Sequence, residues 1–80
     1  MAETIQRLKA VLAATGLSRS TLYLRISQRL FTRQISLGGR VVGWPAREVA
    51  ALNAARIAGK SDEQVRQLVA QLEAARASAF

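Results

Sequence analysis

Apolar residues along this chain recur with two different spacings, and the change of spacing divides it. Ile5, Leu8, Val11 and Leu12 fall on one stripe of a helix. Thr4 is placed to cap its start and Gly16 to end it in the left-handed region. Ser18 is the expected N-cap of a second helix, with Leu22, Ile26 and Leu30 as its buried stripe and Leu17 packing ahead of it. Only Thr15-Gly16-Leu17 separates the two, a turn of the brevity a helix-turn-helix needs. The helical period fails after Leu30: Ile35 and Leu37 alternate with Gln34, Ser36 and Gly38, and Val41 and Val42 follow Gly38-Gly39. That pattern predicts a short hairpin, 33–37 and 41–44, turning at the two glycines.

Pro45 suits the first turn of a third helix, in which Val49, Leu52 and Ile57 face inward and which Gly59 ends. Ser61 with Gln64 forms a capping box, and Asp62 and Glu63 suit the positive end of the fourth helix. Val65, Leu68, Val69 and Leu72 give that helix a clean amphipathic stripe, and Ala77-Ser78-Ala79-Phe80 is expected to fray. The expected fold class is mainly α with a small β-hairpin: a winged helix-turn-helix plus a C-terminal amphipathic helix.

Composition narrows the function. The 80 residues hold twelve Lys/Arg against five Asp/Glu and no His, a net charge of +7. Residues 1–60 carry ten of the basic side chains and only Glu3 and Glu48; residues 61–80 carry Arg66 and Arg76 against Asp62, Glu63 and Glu73. The positive field therefore belongs to the first three quarters, and its natural partner is a polyanion. No cysteine is present, so neither a disulfide framework nor a thiolate metal site is expected. No stretch approaches a membrane span or a signal-peptide core, which points to a cytoplasmic protein, nucleoid-associated when bound. The scattered acids supply no base beside a nucleophile and no ligand set, so no enzyme, cofactor, metal or small-molecule ligand is expected. Gly38-Gly39 lacks the helix and lysine of a P-loop.

On a wheel at about 100° per residue, Leu22, Ile26, Arg29 and Leu30 gather on one side of the second helix. Ser20, Leu24, Ser27 and Gln28 stand roughly opposite, with Arg19 and Tyr23 one turn apart on a flank. A recognition helix offers its N-terminal residues to base edges and packs its other face on the domain. The candidate double-stranded-DNA contacts are therefore Ser18, Arg19, Ser20, Thr21, Tyr23, Leu24 and Ser27, joined by Arg33 and Arg40 on the hairpin. Two uses compete for some of them. Ser18 caps its own helix or donates to phosphate, and Leu24 meets a thymine methyl or is a scattered surface leucine. Lys9, Arg25, Arg29 and Arg47 are cations the sequence does not orient, and Val42 and Trp44 read as core.

Arg7-Leu8-Lys9, the run Thr15 to Tyr23, Leu37-Gly38-Gly39-Arg40, Val42-Gly43-Trp44 and Glu48-Val49 together resemble the AlpA family of phage regulatory proteins. The likeness spans about residues 5 to 59, and Asn53-Ala54-Ala55-Arg56 and Gly59-Lys60-Ser61-Asp62 look like one branch of it. The resemblance implies a winged helix-turn-helix related to excisionase and MerR DNA-binding domains, with Ser18 to Ser27 as recognition helix and Arg33 to Val42 as wing. It also implies a DNA-binding regulator encoded by a prophage or integrative element. Some relatives are recombination directionality factors that bend DNA. Three places depart from the family pattern. Phe31-Thr32 stands where many members have Phe-Pro, and Leu24-Arg25 where Arg then Leu is frequent. Arg29 replaces a frequent Gly, and its Cβ disfavours a left-handed cap, so the second helix is expected to run on or end differently.

The expected division is a DNA-binding domain over residues 1–60 and a helix over 61–80 that joins the same domain or mediates assembly. In the second case Val65, Leu68 and Leu72 hold a homo-oligomer together on DNA; in the first they cover the core. A transcriptional regulator is the leading function. The alternatives are an excisionase-like factor using the same surface, and a protein-interaction module built on the fourth helix. A single-strand or RNA binder is disfavoured by the scarcity of aromatics for stacking.

Overall fold

The computed structural model describes residues 4–78 and forms, in chain order, β1 (Ile5–Arg7), α1 (Leu8–Thr15), α2 (Arg19–Ser27), β2 (Ile35–Ser36), β3 (Val42–Pro45), α3 (Ala46–Ile57) and α4 (Asp62–Ser78). The expected class stands, but the sheet has a third strand: its order is β1-β3-β2, antiparallel throughout. Ile5 is thus a strand residue, 46% exposed, and no part of the α1 stripe. Thr4 does not cap α1, whose N-cap is Arg7 without a side-chain bond; the Thr4 carbonyl instead accepts from the Ala46 N–H at 2.7 Å. The reason lies across the sheet, at Gly43. A Cβ there would stand 2.6 Å from Ile5 Cγ2, 3.0 Å from Leu37 Cδ1 and 3.1 Å from the Gln6 carbonyl oxygen. Only a bare strand centre lets β1 and the hairpin close on β3 from both sides. The hairpin turns at Gly38 and Gly39, both at positive φ, but its paired strands are shorter than the pattern suggested.

Gly16 ends α1 at φ 72° and returns its N–H to the Leu12 carbonyl at 2.9 Å. Asn53 of α3 donates to the Ala14 carbonyl at 3.0 Å, holding that turn against the domain. Gly59 ends α3 in a Schellman motif, with Gly59 N–H on the Arg56 carbonyl and Lys60 N–H on Ala55. The end of α2 has the same pattern, with Arg29 N–H on Ile26 and Leu30 N–H on Arg25, but here the left-handed residue is Arg29, at φ 62°. The helix therefore stops where the glycine-bearing pattern would stop it. Burial of Leu30 and Phe31 just beyond holds the strained residue in place.

Trp44, fully buried, lies at the centre of a core shared with Val11, Leu22, Phe31, Val49, Leu52, Val65 and Val69. Its indole N–H donates to the Thr32 carbonyl at 2.9 Å. Pro45 sits one place earlier than expected, as the N-cap of α3 rather than in its first turn. Ile57 does not face inward; at 88% exposure it is the most open large apolar residue described. Five steps from Leu52 turn it about 140° off the buried stripe. The capping box closes as read, Ser61 N–H to Gln64 Oε1 at 3.0 Å and Gln64 N–H to Ser61 Oγ at 3.2 Å. α4 lays Val65 and Val69 into the core, with Leu68 and Leu72 packed against it, so its apolar stripe covers the chain's own core. The helix runs through Ser78 rather than fraying from Ala77; Ala79 and Phe80 lie outside the described residues.

One polar contact inside this packing had no sequence expectation. Glu48 is completely buried, and Arg76 from the last turn of α4 grips it with two bonds, Nε to Oε2 at 2.8 Å and Nη2 to Oε1 at 2.7 Å. The bond to Glu48 raises the Arg76 pKa above its ordinary value, which keeps the guanidinium charged. Removing one partner of a buried pair strands the other charge. Arg76→Ala should cost about 3 kcal/mol in urea unfolding. Arg56→Ala, which breaks an exposed pair with Asp62 at 3.6 Å, should cost at most about 0.5 kcal/mol. Arg29→Gly should add about 1 kcal/mol by relieving the left-handed residue. A loss of stability in that variant would mean the Arg29 side chain contributes more than its backbone strain costs.

Candidate nucleic-acid interface

Three separate pieces of chain bring cations to one open groove. Arg7 ends β1, Lys9 stands in the first turn of α1, Arg19 opens α2, and Arg40 comes from the hairpin tip; Tyr23 and Val42 form its lining between them. Among the described residues, no acidic side chain lines this groove. All four cations are exposed, and Tyr23 is half-buried and packs against the core.

The helix ends at this groove are loaded against their own dipoles. α1 and α2 have no acidic residue in their first turns; Lys9 and Arg19 stand there instead, and Arg7 is the N-cap of α1. α4 follows the ordinary rule with Asp62 and Glu63, and α3 carries both Arg47 and Glu48 in its first turn. A cation at a helix N-terminus costs a few tenths of a kcal/mol to about 1 kcal/mol, and a bound anion reverses the sign of that contribution.

The α2 residues singled out from sequence share one arc, except Thr21, which lies outside it. At about 100° per residue, Arg19, Tyr23, Ser27, Ser20 and Leu24 follow one another around some 140° of the helix, from the groove to open solvent. Ser20, Leu24 and Ser27 are exposed, Leu24 to 55%, while Leu22 on the opposite side is fully buried. The hydroxyls are not all free to act. Ser18 Oγ accepts the Thr21 N–H at 3.2 Å and donates to Thr21 Oγ1 at 2.9 Å, and Ser20 Oγ lies 3.4 Å away. Ser27 Oγ donates to the Leu24 carbonyl of its own helix at 2.6 Å. Capping is thus the observed use of Ser18.

Arg33 stands apart from the groove. It lines a different surface with Arg29, Arg66 and Glu73, beside α4, and its own backbone is bound by α4 side chains. Of the cations the sequence left unoriented, Lys9 joins the groove, Arg25 turns toward Leu17 and Leu52, and Arg47 is exposed on α3. Arg7, which the sequence reading did not single out, also lines the groove. Its signal was the strand Ile5-Gln6-Arg7, hidden because Ile5 also fits a helical spacing.

Among the described residues no helix is long and apolar enough to cross a membrane, and no group of acidic residues could hold a metal ion. The sequence model of one family, described as Prophage CP4-57 regulatory protein (AlpA), matches residues 4–56. An uncharacterized protein of Enterobacteria phage P4, ORF88, is 47% identical over 58 residues, covering 72% of this chain and 66% of the phage protein, just under two thirds of its length. No solved structure matches this chain.

The cap reading of Ser18 has a simple check. Ser18→Ala should lower thermal stability by about 1 kcal/mol, and Ser18→Gly by only a few tenths. Equal losses would point away from capping.

Proposed function

The chain belongs to the AlpA family of prophage regulatory proteins, and from that premise we propose that it acts as a regulator by binding double-stranded DNA. The observation that carries the reading is the convergence of Arg7, Lys9, Arg19 and Arg40 on one groove beside the exposed arc of α2, with no acid among the described residues that line it. In this reading α2 enters the major groove, Arg19 and its neighbours Ser20, Tyr23 and Leu24 face base edges, and the wing lies along the adjoining strand with Arg40 on a phosphate. Arg7 and Lys9 anchor the backbone at the N-terminus of α1. Thr21 and Ser18 shape the helix start. Arg33 is assigned to positioning the wing rather than to the DNA, because α4 already engages its backbone. The fourth helix is read as part of the same unit, because Val65 and Val69 belong to its core.

Duplex binding through these four cations has a defined salt signature. With one phosphate each, affinity for a random-sequence duplex should fall about a hundredfold between 50 and 200 mM salt. Arg40→Ala should weaken binding to all duplexes and lower the slope of log affinity against log salt by about 0.9. Arg19→Ala should narrow the gap between a specific and a random site, by about 1–3 kcal/mol if it reads a guanine. Fluorescence anisotropy with the DNA flanking the protein's own gene, beside a scrambled duplex, measures all three. Salt-insensitive binding, or equal affinity for single strands, would overturn the duplex reading.

A further inference from the structure

The segment joining α2 to the hairpin has no ladder to hold it. Among the described residues, no backbone–backbone hydrogen bond outside the helices and strands involves residues 31–34. Besides the Trp44 indole bond to the Thr32 carbonyl, side chains from α4 take over that task. Arg66 Nε donates to the Gln28 carbonyl at 3.0 Å, Glu73 Oε2 accepts the Arg33 N–H at 2.8 Å, and Arg76 Nη2 donates to the Arg33 carbonyl at 2.7 Å. Both ends of the connector, and both backbone groups of Arg33, are therefore held by one helix. Arg76 is in turn fixed by the buried Glu48 of α3. None of these α4 residues lines the cationic groove.

We infer that Arg66, Glu73 and Arg76 are positioning residues that set the angle of the wing against α2, and so the place of Arg40 relative to Arg19. The inference rests on the duplex-DNA reading for its consequence, but not for its geometry. A planar guanidinium can bond Glu48 and the Arg33 carbonyl together; a lysine ammonium keeps the charge and loses the fork. Arg76→Lys therefore tests position with the ion pair retained, and Glu73→Ala, at an exposed contact, is the milder second variant.

The native sequence has no cysteine, so spin labels at Leu24→Cys and Val41→Cys report the helix-to-wing distance cleanly. The distance distribution should be narrow in the parent protein and broader with Arg76→Lys or Glu73→Ala. A variant that only destabilises the fold would raise the unfolded fraction and leave the folded peak narrow, which would overturn the inference. In duplex binding, Arg76→Lys should weaken affinity about tenfold alone and less than about twofold when Arg40 is already alanine, because the two changes disable one contact. Multiplying effects would also overturn it. If the parent protein fails to bind duplex DNA while the distribution broadens, the DNA reading falls and the positioning role stands.

Discussion

Arg76 makes two kinds of contact at once, and the arrangement of the molecule follows from both. Its guanidinium neutralises a carboxylate that is wholly inside the protein, and the same group reaches on to the backbone of Arg33. Glu48 lies one turn ahead of Leu52 on the buried face of α3, where an unpaired charge would be intolerable. The ion pair therefore requires α4 to dock, and α4 docks in the one register that also brings Glu73 and Arg66 onto the connector. A buried ion pair adds little stability over an apolar replacement. Its contribution here is geometric, because one side chain ties α3, α4 and the root of the wing together.

Opposite the clamp, the molecule tolerates unfavourable electrostatics. α1 and α2 carry cations at the positive ends of their dipoles, and Arg7, Lys9, Arg19 and Arg40 crowd one groove with no acid among the described residues that line it. The described acids are placed elsewhere, on the first turns of α3 and α4 or against the connector. Such a separation of charge makes the free protein less comfortable and an anionic partner more welcome.

The treatment of α2's end shows the same priority. A left-handed residue with a Cβ costs about 1 kcal/mol or more, yet Arg29 occupies that position with both Schellman bonds intact. Burial of Leu30, Phe31 and Thr32, and the indole bond to Thr32, hold the chain to this path. Local preference gives way where several tertiary contacts agree.

Much of this was legible in the sequence. The turn at Gly16, the Ser18 cap, the Gly38-Gly39 hairpin, the Ser61–Gln64 box and the stripes of α2 and α4 depend on residues a few places apart. Periodicity and capping chemistry are properties of such short stretches, so the elements, their exposed faces and the likeness to a phage regulatory family could be read directly. What the sequence could not specify was pairing over distance. Ile5 became a strand because a glycine 38 places later leaves room for it, and Arg7 joined the cationic groove only through that strand. Arg33, grouped with Arg40 by hairpin position, was turned away by side chains 40 and 43 residues further on. Contacts of that span cost chain entropy that only the assembled core can offset. The folded packing, not any local run of residues, therefore decided which cations stand together.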